Sequence, residues 1–150
     1  MQVFIPFREP IEVAKCLDSR RLNKQIIECS QIIDAILGTG KGWFNHPVVK
    51  MYVKHVPFLE DYTNCLMCYQ SYLRNKSPEE NFLGYAEFYS TCALRNLPEF
   101  ITQDLCDQHK RRLYTKDPVY YNQFAALGSS EENWYYVDNK LVKYVKGKKL

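Results

Sequence analysis

No run of about 18 apolar residues occurs anywhere in the 150-residue chain, so no segment has the pattern of a membrane-spanning helix. The opening "MQVFIPFREP" lacks a basic start followed by a long apolar stretch, the pattern of a secretory leader. The six cysteines are therefore expected to be reduced thiols in a cytoplasmic protein rather than disulfides. Cys65 and Cys68 form a CxxC, but no second CxxC exists, and the pair sits inside "YTNCLMCYQSYL", which reads as continuous helix. Zinc and thioredoxin chemistry both need more than that, so buried core cysteine is the expectation, with no metal and no cofactor. Repeats and low-complexity segments are absent. So is any alternating pattern long enough for a large sheet. A net charge of +3 is too small to mark a basic tail protein, so the placement of charge matters more than its sum.

What is present is an ordinary globular composition, 46% hydrophobic and 25% charged, which bounds the chain to one compact domain. Aromatic residues reach 15%, with 12 tyrosines, whose rings suit both cores and wet surfaces. "QVFIPF" predicts an extended N-terminal segment against the core. Helical periodicity predicts a first helix over 12–37, with Leu22, Ile26, Cys29, Ile33 and Ile36 on its apolar face. Gly38 and Gly40 end it. Pro47 predicts the start of a second helix running to about Arg74, kinked near Val53 by Pro57. Further helices are expected over 79–95 and 102–114, with another turn begun at Pro118. "WYYVDNKLVKYV" fits a small hairpin about an Asp-Asn turn. The class is mainly α.

Three stretches can carry chemistry. "LDSRRLNKQIIE" places Arg21, Lys24, Gln25 and Glu28 opposite the apolar stripe, with Arg20 and Leu17 beside them. An average charged face is simply solvated. This one is locally electropositive, with only Asp18 as a nearby acid, and Val13 and Leu17 lean toward it, a pattern that suits phosphate. "GWFNHP" brings Asn45 and His46 to a helix N-terminus, where they either cap it or line a pocket. His55, near Tyr52, is a further pocket candidate whose commoner role is packing. "DQHKRRLYTKDPVYY" holds the densest basic run, His109, Lys110, Arg111, Arg112 and Lys116, interleaved with Tyr114, Tyr120 and Tyr121. Cations with rings suit nucleic acid, while a solvated helix end near the negative pole of the dipole is the plainer account. The lysine-rich terminus "DNKLVKYVKGKKL" divides between the same two readings.

Taken in order, "LDSRRLNKQIIE", "GWFNHP", "HVPFLEDY", "HKRRLYTKDPVYY" and the closing "WYY" resemble the pyrimidine-dimer DNA glycosylase (phage endonuclease V) superfamily, above all its bacterial and phage relatives. The resemblance spans nearly the whole chain. It implies a compact helical fold, duplex DNA as the partner, and nucleotide flipping in a bacterial or phage-infected cell. In that class the N-terminal amine attacks the sugar, forms an imine and cuts the strand by β-elimination, assisted by a glutamate on the first helix. Carried over, Met1 supplies the amine and Glu28 the acid. Arg20, Arg21, Lys24, Gln25, His109, Arg111, Arg112 and Lys116 grip DNA, and Asn45, His46 and His55 line the pocket. The chain departs from the pattern at Gln2, where the class exposes a small residue after Met removal. It departs again at Arg21-Leu22-Asn23, where the class has an Arg-Glu pair. A DNA- or nucleotide-binding protein that kept the fold without the reaction, and an enzyme handling modified bases by other chemistry, are the alternatives.

Overall fold

The computed structural model describes residues 2–39, 42–75, 81–145 and 148–149. The fold is mainly α and ends in a small antiparallel sheet. Its order is α1 (Pro10–Cys16), α2 (Ser19–Leu37), α3 (Pro47–Tyr52), α4 (Val56–Asn75), α5 (Phe82–Arg95) and α6 (Gln103–Lys116). A 3-10 helix (Asn122–Leu127) and strands β1 (Glu132–Val137), β2 (Lys140–Val145) and β3 (Lys148–Lys149) follow. Helix α4 packs on α1, α2 and α5, and the core runs from Val3 to Tyr135.

The first predicted helix is two. Leu17 and Asp18 are extended, and Asp18 caps α2 by accepting the Arg21 N–H at 2.9 Å. Arg21 Nη1 also donates to Asp18 at 2.8 Å. The buried Tyr121 hydroxyl closes the corner. It donates to Asp18 Oδ2 at 2.6 Å and accepts the Asp18 N–H at 3.1 Å. Burial would raise the Asp18 carboxyl, but the hydrogen bonds from Tyr121 and Arg21 win and hold it below its ordinary value. Tyr121→Phe leaves the Asp18 N–H unpaired and is expected to cost about 1–3 kcal/mol. A urea-unfolding midpoint unchanged from wild type would refute that. Val13 and Leu17 face the core rather than the basic cluster.

The second predicted helix also divides, at Val53–His55, so the structure has a break where a kink was expected. Pro57 sits in the first turn of α4, where its missing N–H costs nothing. Val53 is consequently exposed, and His55 lies between helices rather than inside one. At the end of α2, Gly38 takes φ 78, a left-handed cap that a side chain would resist. Beyond α6, residues 118–121 form turns, and the extra helix starts later, as the 3-10 helix. Asp138 and Asn139 adopt φ 51 and φ 60, the paired left-handed geometry of a tight hairpin turn, so the Asp-Asn turn stands as predicted.

Residues Val3, Phe4 and Ile5 are buried and, among the described residues, belong to no helix or strand. Side chains supply what a neighbouring strand would. Gln25 Oε1 accepts the Phe4 N–H at 2.9 Å, His109 Nδ1 accepts the Ile5 N–H at 2.8 Å, and Tyr62 Oη donates to the Phe4 carbonyl at 2.6 Å. All six cysteines are free thiols. Burial pushes Cys16, Cys29 and Cys65 up to about 12, which makes them inert packing groups. Among the described residues no His, Cys, Asp and Glu cluster could hold a metal, and no helix is long and apolar enough to cross a membrane.

Candidate nucleic-acid cleft

A cleft of about 400 Å³ opens between the N-terminal segment, α2, the end of α6 and β1. Helix α2 contributes Arg20, Arg21, Lys24 and Glu28, and α6 contributes Arg112 and Lys116, one helical turn apart. Two basic segments some ninety residues apart in sequence thus meet at one site. Burial lowers the Lys116 ammonium, and the positive charges of Arg112, Arg21 and Lys24 lower it further against a smaller pull from Glu28. Among the described residues, no carboxylate is within ion-pair distance of Arg20, Arg112 or Lys116. Such crowded, uncompensated cations are what an anionic ligand would relieve.

Glu28 is the one acid lining the cleft among the described residues. Its carboxylate is largely buried and accepts the Gln2 N–H and the Gln25 Nε2–H, each at 3.3 Å. Lys24 Nζ stands 3.9 Å from its other oxygen, on a well-exposed side chain. His46 caps α3 by accepting the Val48 N–H at its Nδ1, at 3.1 Å. That bond requires a neutral ring, and burial lowers the ring's pKa in the same sense. The imidazole lies edge-on between Trp43 and Tyr135 and lines the cleft.

Not every expected contact is there. His109 is turned inward, 2% exposed, and its Nδ1 holds the N-terminal segment. Gln25 lines the cleft but is equally buried, with its polar atoms bonded to the N-terminal segment and to Glu28. The Arg111 guanidinium points to another side of α6, where Nε donates to the Leu127 carbonyl at 3.0 Å. Lys110 pairs with Asp107 at 3.4 Å and covers the Phe7 ring. Asn45 is exposed and does not line the cleft, and His55 packs edge-on against Phe100 away from it. Met1 lies outside the described residues, as do the side chains of the lysine-rich terminus beyond Val145. The cleft also uses Gln2, Asn133 and Tyr135. The period-two alternation of "NWYYV" would have put Asn133 and Tyr135 on one face, but nothing in it says which face meets α2.

A family model described as pyrimidine dimer DNA glycosylase matches residues 1–77, slightly more than half of the chain. The match includes the whole α2 side of the cleft, with Gln2, Glu28 and His46. No curated protein matches the chain, and no solved structure does.

Proposed function

The chain belongs to the pyrimidine dimer DNA glycosylase family, and from that membership we propose that it excises a damaged or modified pyrimidine from duplex DNA through its N-terminal amine. DNA is the partner the family implies. Arg20, Arg21 and Lys24 on one wall, with Arg112 and Lys116 on the other, take the phosphates that flank a nucleotide flipped into the cleft.

The amine of Met1 attacks C1′, the glycosidic bond breaks, and the base leaves with a proton. The C1′–O4′ bond of the sugar then opens, O4′ takes the remaining amine proton, and the nitrogen and C1′ are joined as an imine. Loss of a C2′ proton expels the 3′ phosphate by β-elimination, and water releases the amine. An α-amine ordinarily titrates at about 7.7–8.0, which leaves part of it unprotonated and nucleophilic at neutral pH. Glu28 is the proton carrier. The observation that carries this reading is the hydrogen bond from the Gln2 N–H to the Glu28 carboxylate, which ties the acid to the residue that follows the amine.

Borohydride trapping on duplexes bearing a cyclobutane dimer or an abasic site tests it. A covalent adduct mapped by mass spectrometry to Met1 is expected. Salt-dependent duplex binding without an adduct would instead select a binder that kept the fold and lost the reaction, a reading favoured by the bulk of Gln2.

A further inference from the structure

Four buried side-chain polar atoms lack a hydrogen-bond partner among the described residues: Gln2 Nε2, Tyr52 Oη, Arg112 Nε and Asn133 Oδ1. Three of the four belong to side chains of the cleft. Each such atom costs about 1–3 kcal/mol if it stays unpaired, so folds keep few of them. Their gathering at one cleft points to a ligand that completes them.

The set is two donors and one acceptor. A phosphate offers acceptors only, so it can answer Gln2 and Arg112 but not Asn133 Oδ1. A nucleobase offers both kinds, since carbonyls and ring nitrogens accept while an imide N–H or exocyclic amine donates. We propose that Asn133 reads an N–H on the edge of a nucleobase drawn into the cleft, with Gln2 taking an acceptor of the same base and Arg112 bridging that base and its phosphate. Asn133 lies outside the segment matched by the family model. The inference rests on the DNA reading of the cleft and adds the side chain that selects a base over bare backbone.

The surroundings hold Asn133 in place. Strand alternation puts Tyr135 on the same side, where its ring lines the cleft beside the base position. Gln108 Nε2 donates to Ser130 Oγ at 2.7 Å and to the Glu132 carbonyl at 2.9 Å, and Arg112 Nη1 donates to the Ser130 carbonyl at 3.2 Å. The strand that bears Asn133 is thereby fastened to the helix that bears Arg112.

The test is fluorescence anisotropy on two duplexes, one with a single cyclobutane thymine dimer and one undamaged. Selectivity is the ratio of the two affinities. Asn133→Leu, of similar size but without hydrogen bonding, is expected to lower selectivity about 10-fold or more, with the loss falling chiefly on the damaged duplex and the salt dependence unchanged. Asn133→Asp keeps the acceptor and is expected to retain most of the selectivity. Asn133→Ala, which demands no room, repeats the loss if leucine perturbs folding, and thermal melting reports on that. Selectivity kept by both the Leu and Ala variants overturns the inference, as does a parallel fall in both affinities. A wild type that binds duplex without selectivity overturns it too, while leaving DNA binding intact. No duplex binding at all removes the functional reading and this inference together.

Discussion

Glu28→Gln is expected to slow base excision and imine trapping by about 10²–10⁴-fold, the range over which a placed proton carrier accelerates such steps. The substitution suits the site. Glutamine keeps the length of the side chain and one acceptor oxygen for the Gln2 N–H. The Lys24 pair it removes is long and its lysine well exposed, so it contributes little to stability. Folding should therefore be retained, and the chemistry alone should suffer. Affinity for duplex should hold or tighten, because a negative charge leaves a cleft lined by Arg20, Arg112 and Lys116. Single-turnover incision of a dimer-containing duplex, paired with anisotropy over a range of salt, separates the two effects. An incision rate within about 3-fold of wild type would remove Glu28 from the reaction.

Particular residues show what the sequence carried and what it did not. The basic turns of α2 and α6 were legible because residue type and helical spacing are local properties. The hairpin was legible because two consecutive left-handed residues demand Asp, Asn or Gly, and Asp138-Asn139 supplies them. The break before α2 was missed, and the one before α4 was expected only as a kink, because apolar periodicity runs through both. The signals lay elsewhere, in Asp18 as a cap and Pro57 as a first-turn residue. Gln25 displaced the expected stripe, so that Leu22, Gln25, Cys29, Ile32 and Ala35 are buried while Ile26, Ile33 and Ile36 lie at its edge. A polar side chain can enter the core only where partners await it, and Gln25 finds them 21 and 23 residues away, at Phe4 and Gln2. No periodicity encodes such a partner. The run His109 to Arg112 looked like one patch. Consecutive helical residues point about 100° apart, so the run spreads over core, solvent and cleft.

His109 should make stability fall steeply with acid. Burial holds its imidazole near about 3, well below the ordinary value, and the nearby Arg112 charge works in the same direction. The hydrogen bond from the Ile5 N–H needs Nδ1 unprotonated, so it too favours the neutral ring. The unfolded chain takes up the His proton near about pH 6.5, and the folded chain does not until far lower. Between those limits the unfolded state binds more protons, so stability drops as pH falls, by about 2 kcal/mol from about pH 7 to about pH 5. His46, also lowered by burial, adds in the same sense. His109→Gln offers a non-titrating acceptor to Ile5 and should flatten most of that slope. His109→Leu leaves the Ile5 N–H buried and unpaired, and should cost about 1–3 kcal/mol at neutral pH. Urea unfolding of the three proteins at both pH values decides it, and equal acid losses in wild type and His109→Gln would sink the assignment. The link to function is the segment itself. Ile5 is held by α6 and Phe4 by α2, and the same segment delivers Gln2 to Glu28. Acid that protonates His109 should loosen the chain that leads into the cleft.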